Sequence, residues 1–554
     1  MNTFFANPKT RVFAICAAFA AACIIGVATY SRPNASPETE ETNLSETSSN
    51  PEYCNDLISS ALDMLQPDRL GVTSEAKDAA DLLNSWLASC GASDPENREL
   101  KSSAAARLET LISSQELEQL KETRFTKQDA GHLRNSLLSK TIVNFVLSRN
   151  RNELDRIVGL FEYVVRNIGL EKEGEQTLPL SPYEIVLFGR GTPEDRAWIF
   201  AMLLRQLHVD AVILRPSSQD DANQADASKN RWLVGVLMDG QVYLFDTRLG
   251  CPVPSSNDDG KTTTIKNPAT LTEVQENDKL LRLLDLEDRP YPLNAGDLKS
   301  PRVEVIGNSS LWAPHMKRIQ LSLVGERSVV IYDGLQDGGT GGAGSISRVA
   351  ELGHGKWRTE DIGVWTYPNV RLQGFANLND SQELKLLVRR EPFKATIPWS
   401  DVAEGRIYYG PPRREQLKTR NSQILGKYAK SIHSYMNIRL RGKLPQRLRP
   451  NVRRMHARAA EDAFFWIGVC QLEQQDYVAA SGTFREYLLI HTPGGAWQGP
   501  CRGLLALSLA EQKNHEKAIG VLEEAPPSDP QRDGFDLLIR RWRSASNLSE
   551  ADID

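Results

Sequence analysis

Apolar residues along this chain follow helical spacing in some stretches and strand-like spacing in others. Between residues 53 and 125, Leu and Ala recur at helical intervals, as in "LISSALDMLQ" and "DAADLLNSWLA". This spacing places the apolar side chains on one face of a helix. The pattern predicts a helical domain over residues 53–125.

The middle of the chain changes from helical to strand-like patterning. The stretch 151–170 has a helical apolar face made of Ile157, Phe161, Val164, Val165 and Ile168. The apolar runs "VDAVILRP" and "RWLVGVLMDGQVYLFDTRLG" follow, and the second contains Asp239-Gly240, a dipeptide typical of a tight hairpin turn. The order helix, helix, strand, hairpin predicts an α+β domain over 126–258.

Residues 259–410 mix both kinds of pattern. "LTEVQENDKLLRLLDLED" and "SLWAPHMKRIQLSLVG" have helical spacing, whereas "RSVVIYDG" is strand-like and "DGGTGGAGS" is a glycine-rich loop. We predict a second α+β module here.

A repeat spacing appears near the C-terminus. The small, small and large residues of a tetratricopeptide-like repeat stand at Gly468, Ala480 and Phe484, and again at Ala506, Ala518 and Leu522, 38 residues later. Small residues let the two helices of a repeat approach closely, and the large side chain fills the gap between them. The spacing predicts helical repeats over 459–546 and a disordered tail over 547–554; an ordinary pair of helical hairpins is the alternative.

The first thirty residues differ from all that follow. Lys9 and Arg11 precede "VFAICAAFAAACIIGVATY", which has no charged residue and is long enough to span a bilayer. We predict a signal anchor over 1–30, with a cell-membrane location and exported C-terminal domains in the periplasm or cell exterior. Secretion after cleavage near Ala20-Ala21-Ala22 is the alternative. Lipid modification of Cys23 is disfavoured, because two bulky isoleucines follow it.

Composition adds a flexible stalk and a multidomain organisation. Residues 31–52 are rich in Ser, Thr, Glu, Asn and Pro, which predicts a disordered acidic stalk. The 554-residue length exceeds that of a single core, and 40% apolar with 25% charged residues is typical of folded protein. The net charge of −5 indicates no particular partner.

Export makes disulfides chemically possible. Cys54 and Cys90 bracket a predicted helical hairpin, and Cys470 and Cys501 lie in the repeats, so either pair is a candidate disulfide. Cys251 is then left as a buried small residue or a reactive thiol. No cluster has zinc-site spacing, so we expect no metal and no cofactor.

A basic stretch separates the second module from the repeats. Residues 413–458 hold fourteen Lys and Arg against one acid, Glu415, and we predict a helical linker over 411–458. Its candidate binding residues for an anionic polymer or membrane surface are Arg447, Arg449, Arg453 and Arg454. Nucleic acid is not an expected partner of an exported protein. The alternative is a solvated linker paired with acidic faces of the same protein.

The stretch "GRGTPEDRAWIFAMLLRQL" and the hairpin after it carry a family resemblance. Gly191, Asp195 and Ala197 match the pattern that precedes and opens the catalytic helix of the transglutaminase-like domain, a papain-type cysteine fold. In that family a Cys opens the helix, a His begins one strand and an Asp ends the next. The resemblance covers about residues 150–255 and places these three positions at Pro193, Arg231 and Asp246.

The replacements predict that the catalytic triad is degenerate. Pro193 has no nucleophilic atom, and the guanidinium of Arg231 stays protonated, so it cannot act as a base. What remains is a good helix start: Thr192 suits the N-cap, Pro193 the first helical position and Asp195 the positive end of the helix dipole. An ion pair between Arg231 and Asp246 is expected in place of the His–Asp hydrogen bond.

The resulting fold class is a multidomain α+β protein with a membrane helix, a helical domain, a transglutaminase-like core, a second α+β module and tetratricopeptide-like repeats. This arrangement resembles exported proteins typical of planctomycetes. We predict a non-catalytic scaffold or binding protein of the cell envelope, whose repeats or degenerate groove bind a protein or peptide. One alternative is an amidase, protease or transglutaminase with a displaced nucleophile, Thr192 or Cys251. The second alternative is binding of envelope polysaccharide or peptidoglycan.

Overall fold

The centre of the protein is a mixed sheet. In this computed structural model, the described residues are 51–66, 76–90, 108–147, 152–172, 174, 177–216, 231–258, 260, 262–335, 344–394, 396–401, 406–412, 414–440 and 449–551. Among them, six strands form one sheet in the order β6-β5-β4-β3-β7-β8. These strands are β3 (Asp210–Arg215), β4 (Leu233–Met238), β5 (Gln241–Asp246), β6 (Cys251–Pro252), β7 (Arg302–Ile306) and β8 (Ile362–Trp365). All neighbours are antiparallel except β7 and β8.

The predicted hairpin is confirmed in detail. Strands β4 and β5 pair from Met238↔Gln241 to Val234↔Phe245. The turn between them holds Asp239 at φ 50° and Gly240 at φ 71°. Both residues have the positive φ that a tight two-residue hairpin turn requires, which explains the Asp-Gly dipeptide.

The sheet crosses the domain boundary predicted after residue 258. Strands β7 and β8 come from the predicted second module and continue the sheet of the first beyond β3. The boundary was wrong because strands from both sides of it pair in one sheet. The hydrophobic pattern of a segment does not show which distant strand it pairs with. The described residues therefore belong to one α+β unit.

The strand-like run "RSVVIYDG" forms no strand. Its residues 328–334 form neither a helix nor a strand. The amides of Ile331 and Tyr332 donate to the side chain of Gln320, at 2.7 and 2.8 Å, rather than to a strand.

Helices cover both faces of the sheet and precede it in the chain. Before β3 the elements are α1 (Pro51–Leu65), α2 (Ala76–Cys90), α3 (Ser114–Lys121), α4 (Lys127–Leu147), α5 (Glu153–Asn167), β1 (Gly169–Leu170), α6 (Pro182–Phe188), β2 (Arg190–Gly191) and α7 (Pro193–Arg205). Helix α1 begins inside the predicted stalk; the rest of that stalk and the apolar segment lie outside the described residues.

The segments after β6 are short helices and one further hairpin. They are α8 (Leu271–Glu276), α9 (Lys279–Arg282), α10 (Ser309–Trp312), α11 (Pro314–Ser322), α12 (Ser345–Leu352), α13 (Tyr367–Ala376), α14 (Asp380–Arg390), β9 (Thr396–Asp401) and β10 (Arg406–Pro412). Short 3-10 helices occupy Gly325–Arg327, Thr359–Asp361 and Glu391–Lys394.

The C-terminal part is helical. It comprises α15 (Glu415–Ile424), α16 (Tyr428–Leu440), α17 (Pro450–Glu473), α18 (Tyr477–His491), α19 (Gln498–Glu511), α20 (His515–Glu523) and α21 (Arg532–Ala551). Helix α21 continues past the predicted end of the repeats at 546, so most of the predicted disordered tail is helical.

The repeat spacing has the packing that was expected of it. A Cβ added at Gly468 would lie 2.5 Å from the ring of Phe484, so only glycine allows α17 and α18 to approach this closely. Ala480 and Phe484 are fully buried, as are Ala506, Ala518 and Leu522 in the second pair of helices.

The two candidate disulfides have different outcomes. Cys54 and Cys90 are joined by a disulfide that links α1 to α2. Cys470 and Cys501 are free and buried, so the second candidate pair was wrong. The thiol of Cys501 donates instead to the carbonyl oxygen of Phe484, at 3.4 Å, on the helix between them. Cys251 is also free and buried.

Candidate functional site

The start of α7 is the position where the resemblance places a nucleophile. The short parallel pair β1–β2 ends at Gly191, directly before this helix. Thr192 accepts a hydrogen bond from the amide of Asp195 at 3.2 Å, and Asp195 accepts one from the amide of Thr192 at 3.0 Å. This is a capping box with proline at the first helical position, as the sequence "TPED" predicted.

Two side chains from α13 close this helix start. The hydroxyl of Tyr367 lies 2.9 Å from the hydroxyl of Thr192 and donates to Asp195 Oδ1 at 2.9 Å. Arg371 Nε donates to the same oxygen at 2.9 Å, and its Nη2 pairs with the other. Asp195 is fully buried, so its carboxylate is shielded from solvent by these partners.

The electrostatics of this cluster fit a structural ion pair. Burial raises the pKa of Asp195, and the charge and hydrogen bonds of Arg371 oppose that rise. For Arg371, burial lowers the pKa, but Asp195 reverses this and the net shift is upward. Each oxygen of Asp195 is hydrogen-bonded, so the pair satisfies the condition under which a buried charge is tolerated.

Pro193 is buried and has a structural contact of its own. Its carbonyl oxygen accepts a hydrogen bond from the hydroxyl of Thr247 at 2.8 Å. Thr247 follows β5, so this contact ties the end of the strand to the start of α7. Position 193, where the resemblance expects the nucleophile, is thus buried and hydrogen-bonded.

Strand alternation decides which residues of the hairpin face α7. Successive side chains of a strand point to opposite faces of the sheet. Trp232, Val234 and Phe245 belong to the apolar cluster that contains α7, whereas Leu233 and Leu244 belong to the cluster on the other face. Arg231 and Asp246 share the alternation of Leu233 and Leu244, so both point away from α7.

The contacts of Asp246 agree with that orientation. Its Oδ2 accepts a hydrogen bond from the hydroxyl of Tyr291 at 2.7 Å. Its Oδ1 accepts from the amides of Arg248 and Leu249, each at 2.8 Å. Tyr291 belongs to the cluster on the face opposite α7.

The expected Arg231–Asp246 ion pair is replaced by another. Arg231 Nη2 lies 3.6 Å from Asp297 Oδ1, and Nη1 donates to the carbonyl of Pro292 at 3.0 Å. The carboxylate of Asp246 is already held by Tyr291 and two amides. The three positions that the resemblance assigns to a triad are therefore not assembled into one site.

A one-residue shift of the alignment does not restore a triad. It places Trp232 and Thr247 on the α7 side, and neither is a base at neutral pH. Trp232 contacts Trp365 at 6.0 Å between ring centroids, and Trp365 stacks on Tyr367 at 5.0 Å. An aromatic row thus extends from the hairpin to the cap of α7. The alternation of "RWLVGV" was the sequence signal that could have shown this.

Arg231 and Asp246 instead line a cavity of about 310 Å³. Its wall includes Leu249, Leu284, Leu286 and Leu293, with Tyr291 beside Asp246. Arg289 lies at the edge, 59% exposed, and pairs with Asp533 of α21 at 2.8 Å. The cavity combines an apolar wall with arginine side chains.

The displaced nucleophiles of the enzyme alternative have these surroundings. Thr192 is engaged by Asp195 and Tyr367, and no histidine contacts its hydroxyl in the described part of the chain. Cys251 lines a smaller, largely apolar cavity of about 130 Å³ between the sheet and α19 and α21. Burial raises the pKa of the Cys251 thiol well above its usual value, which favours the unreactive protonated form.

The helical repeats pack against the core through alternate helices. Glu473 of α17 accepts from Arg166 at 3.0 Å, and Trp542 of α21 donates to the carbonyl of Thr263 at 3.0 Å. Pro500 of α19 lies so close to Gly169 that a Cβ there would be 2.5 Å away. This side of the repeats is covered by the protein itself. Within the described part of the repeats, the large apolar residues that are exposed lie on α18: Val478, Leu489 and Ile490.

The basic stretch is partly used inside the protein. Arg420 is buried, donates to the carbonyls of Val186 and Leu187, and lies over the ring of Trp466. Arg458 pairs with Glu391 at 2.9 Å. Of the candidate binding residues, Arg449 and Arg454 are exposed and Arg453 is half-buried, at the start of α17. Arg447 lies outside the described residues.

The described ranges contain neither a metal-binding cluster nor a membrane-spanning helix. No group of three or more His, Cys, Asp or Glu side chains there is arranged to hold a metal ion. None of the helices in these ranges combines the length and the hydrophobicity of a membrane span, and the apolar run 12–30 lies outside the ranges.

Comparisons of the chain with protein-family models, with curated proteins and with solved structures found no match. The transglutaminase-like and tetratricopeptide-like resemblances therefore remain predictions from the sequence motifs.

Proposed function

We propose that this protein is a non-catalytic binding protein of the cell envelope, anchored through the apolar segment 12–30. The observation that carries the proposal is the closed start of α7. Pro193 replaces the nucleophile, and Tyr367 and Arg371 occupy the space in front of the helix. The helix start therefore lacks a cysteine nucleophile, and the hydroxyl of Thr192 is already held by Asp195 and Tyr367.

The transglutaminase-like core and the tetratricopeptide-like repeats are the finer parts of this proposal. The packing of α17, α19 and α21 on the core supports a bracing role for the repeats within the protein. A partner protein or peptide then reaches the outer side of α18 or the cavity beside Arg231, rather than the covered side of the repeats.

Photo-crosslinking of the full chain in its native envelope tests this proposal. A photoreactive residue is placed at Leu489 on α18, at Arg289 by the cavity, or at Leu321 on α11; all three are exposed. We expect capture of an envelope component at one of the first two positions and none at Leu321, the matched control. Equal capture at all three positions contradicts a specific binding surface.

The enzyme alternative has its own test. Purified full chain is assayed for amide hydrolysis and for amine incorporation into protein substrates. We expect no turnover. Turnover that is lost in Thr192→Ala or Cys251→Ala contradicts the proposal, because it identifies a displaced nucleophile.

The second alternative, binding of polysaccharide or peptidoglycan, rests on the exposed Arg449 and Arg454. Co-sedimentation of the full chain with purified envelope checks it. Binding that persists in the double variant Arg449→Glu with Arg454→Glu excludes these residues as the binding patch.

A further inference from the structure

We infer that the cavity beside Arg231 binds an organic carboxylate that carries an apolar group, of the kind presented by an N-acylated leucine or by a peptide ending in leucine. The inference rests on the proposed binding function and adds the chemistry of one ligand. The family resemblance singled out Arg231 and Asp246 for another role, and no motif pointed to the leucine residues that complete the cavity.

Arg231 supplies the group that would hold the carboxylate. Within the described residues, its one hydrogen bond goes to the carbonyl of Pro292, at 3.0 Å. The atoms of its ion pair with Asp297 are 3.6 Å apart, which is too long for a good hydrogen bond. Arginine has five N–H donors in a fork that matches a carboxylate. Arg231 thus lies beside the cavity with donors to spare.

Asp246 lines the cavity, but its carboxylate is used for hydrogen bonds within the protein rather than for binding a cationic ligand. Its two oxygens already accept three hydrogen bonds, from Tyr291 and from the amides of Arg248 and Leu249. These contacts fix the turn after β5 and the Tyr291 ring. Burial also raises the pKa of Asp246, which weakens its repulsion of an anion.

The remaining wall selects for an apolar body. Leu249, Leu284, Leu286 and Leu293 line the cavity. Its volume of about 310 Å³ lies at the lower end of the range typical of small-molecule sites, roughly 300–1,000 Å³. Arg289 and Asp533 also line the cavity, and they pair with each other at 2.8 Å. The leucine wall with Arg231 at one side therefore fits a ligand with one anionic end and one apolar side chain.

Calorimetry of the full chain in detergent tests the inference with three probes. N-acetyl-L-leucine presents the carboxylate and the apolar group, and N-acetyl-L-leucinamide lacks only the charge. We expect the acid to bind at least about tenfold more tightly than the amide, because only the acid offers Arg231 a charged hydrogen-bond acceptor. Equal binding of the two, or no binding of either, overturns the inference.

The third probe identifies the source of the carboxylate. A tetrapeptide with a free C-terminal leucine that binds as tightly as the acetylated amino acid indicates a peptide terminus. Weaker binding of the tetrapeptide indicates a free amino-acid derivative. Both results support the carboxylate chemistry.

Two variants of one ion pair provide the matched control. Arg231→Gln removes the guanidinium group. Asp297→Asn breaks the same ion pair but leaves the guanidinium of Arg231 in place, and Asp297 does not line the cavity. We expect Arg231→Gln to weaken binding of the acid by about tenfold or more, and Asp297→Asn to leave it unchanged or tighter. Equal weakening by both overturns the inference.

Thermal unfolding of both variants shows whether each is folded. If Arg231→Gln does not fold, Arg289→Gln replaces it, since Arg289 is exposed at the edge of the same cavity. A fall in acid binding of less than about twofold then overturns the inference. If Arg231→Gln loses acid binding but envelope crosslinking is unchanged, the partner of the proposed function does not bind through this cavity. Catalytic turnover, in contrast, refutes the proposed binding function itself.

Discussion

The start of α7 and the cavity beside Arg231 differ in how completely their polar groups are used. At the start of α7, the Asp195 carboxylate is bonded to Thr192, Tyr367 and Arg371 and is fully buried. At the cavity, Arg231 has one hydrogen bond within the described residues and a long ion pair. The helix start that carries Gly191, Asp195 and Ala197 is closed, and the cavity beside Arg231 retains unused donors.

The comparison teaches that a sequence motif does not by itself locate an available functional site. The residues Gly191, Asp195 and Ala197 match a catalytic pattern, yet in this protein their surroundings serve packing. The available donors belong to Arg231, whose side chain lies on the face of the sheet opposite α7 because of strand alternation.

The first prediction compares the acid of an Arg–Asp pair in each region. Asp195→Ala leaves Arg371 charged and buried without its partner, so we expect a loss of about 3–5 kcal/mol in the free energy of unfolding. Asp297→Ala, which breaks the half-buried pair with Arg231, is expected to cost about 1 kcal/mol or less. Urea unfolding of the full chain in detergent measures both. Similar losses for the two variants contradict the contrast.

The second prediction compares two tyrosines that donate to buried carboxylates. Tyr291→Phe removes one of three hydrogen bonds to Asp246, for which we expect a loss of about 1–3 kcal/mol. Tyr367→Phe removes a donor to Asp195, which keeps its ion pair, so the expected loss is about 1 kcal/mol. The same unfolding measurement applies. A larger loss for Tyr367→Phe contradicts the prediction, because it shows that Arg371 does not compensate for the missing hydrogen bond to Asp195.

The third prediction concerns the pH dependence that Asp246 adds. Burial raises its pKa above the ordinary 3.8, and the hydrogen bond from Tyr291 opposes the rise. The native state therefore binds this proton more tightly than the unfolded chain does. Its contribution to stability is present at low pH and is lost as the pH rises from 3.8 through the raised pKa.

Asp246→Asn removes this contribution. Unfolding of both proteins between about pH 4 and about pH 8 measures the effect, and we expect the variant's stability to decline less with rising pH. Asp297→Asn is the control, because it removes a carboxylate near the same cavity. An unchanged slope in Asp246→Asn contradicts the assignment.

The fourth prediction restores the residue that the family pattern expects. Pro193→Cys is expected to change stability by less than about 1 kcal/mol, because the capping box remains. We expect neither amide hydrolysis nor amine incorporation, since Trp232 occupies the position of a base near α7 and Arg231 faces away. Activity assays and mass-spectrometric thiol labelling of the native and urea-unfolded variant check this. Activity in the variant contradicts the closed site.

Much of the local structure was accessible from the sequence. The dipeptide Asp239-Gly240 gave the hairpin, because few residues adopt positive φ at both turn positions. The tetrapeptide "TPED" gave the capped start of α7. The offsets of Gly468, Ala480 and Phe484 gave the close helix packing, since a side chain at 468 would collide with the phenylalanine ring.

The sequence alone did not reveal how distant segments come together. Strands β7 and β8 joined the sheet across the predicted boundary after 258, and Tyr367 and Arg371 came from a segment to which no role was assigned. Cys470 and Cys501 remained free with Phe484 between their helices. The repeats turned one side to the core instead of leaving it open to a partner.

The sequence by itself determined the capped helix, the hairpin, the buried repeat positions and the absence of a nucleophile at position 193. Each of these depends on residues within a few positions of one another, where backbone conformation and spacing decide the outcome. Only the tertiary structure decided that Arg231 and Asp246 point away from α7 and line a cavity with leucines from another segment. A shift of one residue in a strand reverses every side chain, and pairing between distant strands sets that register.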